Sequence, residues 1–216
     1  MLKYWVWLSE LKGLRNQTRL ALLRRFGDPE SIFYADADEL LLTDGVERSQ
    51  LKLLENHDLA PADRILADCQ RLDIRLLTLS DAAYPGRLKN IYDPPALLYC
   101  KGRLPLLDDL LCVAVVGTRD CTPYGVACAE KLGFGLASGG AAVVSGLAKG
   151  IDAAAIRGAL RAGGVTVGVV GNGLDVYYPY ESRYLYEDVA SAGILQRFVV
   201  AAVAKPHAAE VSGDDD

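Results

Sequence analysis

Histidine is almost absent from this chain: His57 and His207 are the only two in 216 residues. With so few imidazoles, neither a Ser-His-Asp nor a Cys-His set can be assembled, and no histidine-based metal spacing exists. The five cysteines (Cys69, Cys100, Cys112, Cys121, Cys128) are odd in number and form no Cys-x-x-Cys pair. That excludes a zinc or dithiol motif. Cys69, Cys100 and Cys112 lie in or beside apolar runs, where a thiol acts as a small hydrophobe, so the set reads as reduced cytosolic residues. Long apolar runs are missing as well. The opening stretch Leu2 to Leu8 is broken by Glu10 and Lys12, and no run approaches the roughly 18–20 residues of a membrane span. The expectation is a soluble, cytoplasmic protein with no membrane partner. Basic excess is also lacking: 23 Lys and Arg stand against 28 Asp and Glu, a formal net charge of −5. A body coated with nucleic-acid contacts is excluded, and nucleic acid can be met only through a confined basic pocket.

What is present is a folded core, since 51% of the residues are apolar. Residues 1–62 read as short amphipathic helices. Leu20, Leu22, Leu23 and Phe26 form a stripe flanked by Arg19, Arg24 and Arg25, and Gly27-Asp28-Pro29 stops it. Two glycine turns, Lys12-Gly13-Leu14 and Asp44-Gly45-Val46, admit two readings. They match helix-hairpin-helix turns that offer N–H groups to a DNA phosphate, or they simply close turns of a small bundle. Residues 63–204 change pattern. Strands are expected at 74–79 and 96–100, then strand 112–116, helix 124–138, strand 141–145, helix 152–162 and strand 165–170. That alternation predicts an α/β protein, a Rossmann-like doubly wound parallel sheet. Residues 205–216, ending in three aspartates, read as a disordered acidic tail.

In such a sheet, ligands bind beyond the carboxyl ends of the strands. Three loops reach that edge: Gly117-Thr118-Arg119, Ser145-Gly146-Leu147-Ala148-Lys149-Gly150-Ile151-Asp152, and Gly171-Asn172-Gly173. Their glycines admit a ligand to the backbone, and a helix N-terminus favours an anion. Arg119 and Lys149 supply charge, while Thr118, Ser145 and Asn172 are candidate neutral donors. Asp152 is read either as a helix N-cap or as part of the binding site. Tyr177-Tyr178-Pro179 reads either as surface packing before a turn or as placing Tyr178 to stack on a base. Val176 occupies the slot of a third glycine after Gly171-x-Gly173, so no dinucleotide cofactor is expected. Paired carboxylates are absent too. The site reads as one that binds phosphate without catalysis and needs neither cofactor nor metal.

These residues resemble the DNA-processing protein A family (DprA, also called Smf) over about residues 4–195. The matching stretches are Tyr84-Pro85 with Leu88, Asp93-Pro94-Pro95 through Tyr99, and Val116-Gly117-Thr118-Arg119 with Tyr124-Gly125. Ser145-Gly146-Leu147-Ala148 with Gly150-Ile151-Asp152, Gly163-Gly164-Val165-Thr166, Gly171-x-Gly173-Leu174-Asp175 and Tyr178-Pro179 complete the series. The resemblance implies an extended Rossmann fold preceded by a sterile-alpha-motif-like helical domain. It implies a homodimer that binds single-stranded DNA, protects incoming strands in natural transformation and helps load the RecA recombinase, with no catalytic step. The family's positive pocket then corresponds to the loops around Arg119, Ser145 and Gly171.

Two departures stand out. Where the family has Ala-His after the Gly-Ile-Asp aspartate, this chain has Ala155-Ile156, which is expected to remove a polar contact near the pocket. After Leu195 the family pattern gives way to Gln196-Arg197-Phe198-Val199-Val200, as truncation, a shifted frame or divergence would produce. The run from Ile194 to Val200 is then expected to pair at a sheet edge or lie exposed, and the surfaces that serve the dimer and the recombinase are expected to be missing. Two other functions remain open on the residues: a nucleotide-binding enzyme or sensor of the phosphoribohydrolase kind, and a remnant without function. The first lacks its usual Pro-Gly-Gly-x-Gly-Thr loop here.

Overall fold

The computed structural model describes residues 1–103, 106–178, 180–191 and 197–201, the last stretch through its backbone. Six helices come first: α1 (Leu2–Glu10), α2 (Asn16–Phe26), α3 (Pro29–Tyr34), α4 (Ala37–Leu41), α5 (Arg48–Leu54) and α6 (Ala60–Arg71). Their ends follow from local chemistry. Gly27 closes α2 at φ +85°, and its N–H reaches the Leu23 carbonyl. Asp28 then caps α3 by accepting the Ser31 N–H at 2.9 Å, with Pro29 in the first turn. Both glycine turns of this segment do structural work. Leu14 and Val46 are buried, and the Gly45 carbonyl accepts from the Thr18 hydroxyl at 3.3 Å. The bundle-turn reading accounts for them.

After α6 come β1 (Ile74–Thr78), the short α7 (Gly86–Lys89) and β2 (Leu97–Gly102). The remainder alternates: β3 (Cys112–Ala114), α8 (Pro123–Ser138), β4 (Ala142–Ser145), α9 (Ile151–Arg161), β5 (Thr166–Val170), α10 (Arg183–Ser191) and β6 (Arg197–Ala201). One six-stranded sheet results, in the order β1-β2-β6-β5-β4-β3. Strands β3 to β6 are mutually parallel, while β2 is antiparallel to both β1 and β6. The Rossmann-like α/β expectation holds, with an antiparallel pair added at one side.

Each parallel crossover steps the same way across the sheet, which with right-handed connections puts α8, α9 and α10 on one face. Their buried side chains share one core with the N-terminal helices, including Trp5, Leu8, Ile65, Leu97, Tyr99, Ile156 and Val189. The other face carries a smaller cluster of Leu77, Tyr84, Leu98, Cys100 and Val167. Among the described residues, winding is therefore on one face. Helices α8 and α9 interlock: a Cβ on Gly133 would collide with the Ala155 carbonyl, and one on Gly158 with that of Glu130.

Two expectations need correction here. Backbone 197–201 does not form an edge: β6 pairs with β2 on one side and β5 on the other. The register Tyr99–Ala201 and Val170–Ala201 places it in the sheet interior, because the chain returns to fill the gap left between β2 and β5. Ile194, Leu195 and the tail from 205, with His207, lie outside the described residues. Ile156, where the family has histidine, is fully buried in the core, so the substitution alters packing beneath α9 and not the pocket.

Candidate phosphate-binding site

The parallel strands end on β-branched and small residues, and each hands the chain to a loop at the same sheet edge. The loop after β4 is the most contorted. Leu147 sits at φ +55°, a left-handed conformation that costs a non-glycine residue about 1–2 kcal/mol. Burial offsets this: Leu147 is fully buried and fills the space above Gly168, where a Cβ would meet its Cδ1 at 2.5 Å. With that side chain turned inward, Ala148 and Lys149 are left at the rim. Gly150, at φ +90°, then lets the loop press on the Thr118 and Arg119 carbonyls before α9 begins.

Asp152 ties these loops together. Its Oδ1 accepts the Gly117 N–H at 3.0 Å and its Oδ2 accepts the Gly146 N–H at 3.1 Å, with the residue 5% exposed. The carboxylate thus spends both oxygens on backbone, and its placement is neither that of an N-cap on α9 nor that of a group facing a ligand. Ser145 departs from expectation too. It is buried, and its hydroxyl donates to the Val115 carbonyl at 2.7 Å, holding β4 to the end of β3's extension. Asn172 turns into its own loop, its amide donating to the Gly173 carbonyl at 3.2 Å and to that of Val176. Thr118 is exposed and donates to the Asp120 carbonyl at 3.2 Å. Gly173 lies in the same turn, its carbonyl also accepting the Val176 N–H at 3.0 Å.

The remaining candidates converge. Arg119, Gly146, Lys149, Gly171, Asn172 and Tyr178 line a cleft of about 280 Å³. Its lining holds two cations and no carboxylate. Lys149 stands 4.0 Å from Asp120, an exposed pair that leaves its charge largely available. Tyr178 is 62% exposed, and its carbonyl is fixed by the Tyr186 hydroxyl at 3.0 Å. Tyr186 in turn packs edge-on against Tyr177, centroids 5.6 Å apart. An exposed aromatic on a backbone held at its carbonyl therefore stands beside two cations at the mouth of a backbone-lined cleft. Such a site holds an anion by charge and a flat apolar group by stacking.

Sequence reading missed Leu147, Gly168 and the Val115 carbonyl, which shape the cleft without entering it. The left-handed Leu147 carries no compositional signal. Burial pushes the Cys69 thiol up to about 11 and the Cys100 thiol up to about 12, which keeps both protonated and inert. No described helix is long and apolar enough to cross a membrane.

The likeness to known proteins covers most of the chain. It is 33% identical over 197 residues to protein Smf of Synechocystis, covering 89% of this chain and 49% of that protein. It is 46% identical over 114 residues to DNA processing protein DprA of Streptococcus pneumoniae, 53% of this chain and 40% of that one. The X-ray structure of the pneumococcal protein superposes with a TM-score of 0.74 at 31% identity, over 95% of this chain and 69% of that one. The structure of Helicobacter pylori DNA processing protein A, described for its single-stranded DNA binding mode, gives 0.52 at 32% identity over 61% and 57%. The chain spans about half the length of the curated relatives it matches. The profile of the DNA recombination-mediator protein A family matches residues 75–208, from β1 through every loop of the cleft, and to that family the chain belongs.

Proposed function

We propose that the cleft binds single-stranded DNA, with Arg119 and Lys149 on phosphates and Tyr178 against a base. The observation that supports this most is the lining itself: two cations, an exposed tyrosine and no acid. Single strands are favoured over duplex because only unstacked bases can reach Tyr178. In this reading the protein binds and does not catalyse. The cleft offers no acid-base pair, and binding needs neither cofactor nor metal. The wider role is that of the family: protecting DNA strands and helping load a RecA recombinase.

Fluorescence anisotropy of a labelled oligo-dT tests the pocket. Arg119→Ala is expected to weaken binding by about 10-fold or more, the worth of one charge-assisted phosphate contact. The melting temperature should hold, since Arg119 is exposed at a loop. Wild-type affinity in Arg119→Ala at equal salt would remove the assignment, and micromolar binding of free AMP in preference to oligo-dT would favour a nucleotide sensor.

A further inference from the structure

The sheet edge that carries the cleft continues beyond it. β1 and β6 are both antiparallel to β2, so β1 runs parallel to β3 through β6 and ends, at Thr78, on the same edge as the glycine loops. The segment from 79 to 95 leaves at that edge, crosses it as α7 and returns at Leu97. Between this segment and α2 lies a groove of about 380 Å³. Trp5, Leu79 and Pro94 are among the residues that line it, with Arg24 on one rim and Lys89 and Tyr92 on the other.

Three features of this groove match what a single strand needs. Tyr92 is 90% exposed, although it is a large aromatic that folding would otherwise bury. Arg24 and Lys89 are exposed and enter no ion pair among the described residues. The lining itself holds no acid, and two acids of the same segment are hydrogen-bonded within the fold. Asp93 accepts from Asn16 at 2.7 Å and from Gln17 at 3.0 Å, and Asp81 accepts the Thr78 N–H at 2.6 Å. Three strand steps separate β5 from β1, so the groove lies roughly 15 Å along the edge from the cleft at Gly171. One oligonucleotide of modest length spans that distance.

We propose that this groove is a second subsite for the same strand, stacking a base on Tyr92 and seating phosphates on Arg24 and Lys89. The inference rests on the reading of the Arg119 cleft as a single-strand site. It assigns the junction between the N-terminal helices and the sheet a part in DNA binding that neither segment supplies alone.

The test compares labelled oligo-dT of about 4 and about 16 nucleotides, lengths at the two ends of usual single-strand site sizes, on the full chain over a range of salt. The double variant Tyr92→Ala with Lys89→Ala should bind the short oligonucleotide as wild type does. It should bind the long one about 10-fold or more weakly, as loss of one stacked base and one phosphate contact predicts. The salt slope for the long oligonucleotide should fall in magnitude by about 0.7, the share of one cation on a single strand. Both side chains are exposed, so an unchanged thermal melt accompanies that result. Wild-type affinity and slope for the long oligonucleotide would overturn the second subsite while leaving the cleft in place. If Arg119→Ala binds as wild type does, or wild type does not bind at all, the cleft reading falls and this one with it.

Discussion

The Asp152 carboxylate reaches back from the first turn of α9 to the Gly117 amide, 3.0 Å away and 35 positions earlier in the chain. Its second oxygen holds Gly146 at 3.1 Å, so one buried acid fixes the relative position of the loops after β3 and β4. A negative charge beneath a cleft proposed to hold phosphate is unfavourable in isolation. Here it is compensated by two backbone donors and withdrawn from the surface.

That arrangement gives two opposed expectations for Asp152→Asn. Coulomb's law alone predicts tighter DNA binding once the charge is gone. The geometry predicts the reverse, because the amide nitrogen would face a backbone N–H and release one loop. We expect binding to weaken, and urea unfolding to show a loss of about 2–4 kcal/mol. Stronger binding with unchanged stability would mean that the loops do not depend on this contact.

Gly168 and Leu147 form a second coupled pair. Gly168→Ala would drive a methyl group into Leu147, whose Cδ1 would stand 2.5 Å from it. Overpacking of this kind costs about 1–3 kcal/mol. Relief requires the buried Leu147 side chain to shift, which disturbs the turn that sets Lys149. The variant should lose stability and oligo-dT affinity together. Pairing it with Leu147→Ala should restore part of the stability but not the affinity.

Helices α8 and α9 meet without side chains between them at Gly133 and Gly158. Gly158→Ala should therefore destabilise the protein although alanine is the better helix former, by more than the roughly 1 kcal/mol that propensity would return. A denaturant midpoint equal to or above wild type would show that the helices can part at little cost.

Acid should loosen the α7 segment. Asp108 accepts the Gly86 N–H at 2.7 Å and the Arg87 N–H at 3.3 Å, and these bonds hold its carboxyl below the usual range. A depressed folded-state value means the contribution is present above the unfolded aspartate value near 4 and is lost as pH falls through the lower folded value. The protection of the Gly86 and Arg87 amides against hydrogen exchange, relative to the intrinsic rate, should thus fall below about pH 4. In Asp108→Asn those amides should be weakly protected already at neutral pH, with little further change in acid.

The alternating strands and helices of residues 112–170 were legible because each buried parallel strand is a short β-branched run closed by glycine. The positive cleft was legible from the same loops, through Arg119 and Lys149. The roles of Ser145 and Asp152 were not. Their partners, the Val115 carbonyl and the Gly117 and Gly146 amides, are backbone groups, which composition does not distinguish from any others. The place of β6 was hidden for a related reason. Its pairing with β2 joins segments about a hundred residues apart, and no local pattern specifies so distant a neighbour.

That late pairing bears on synthesis. A ribosome delivers β1 and β2 early and β3 to β5 long afterwards, yet the strand that joins the two groups is the last of the six to emerge. Until residues 197–201 arrive, the nascent chain holds two half-sheets whose facing margins, β2 and β5, offer open ladders of N–H and C=O groups to any strand nearby. The sixth strand works as a clasp, and the interval before it closes is when this chain is most open to pairing with the wrong one.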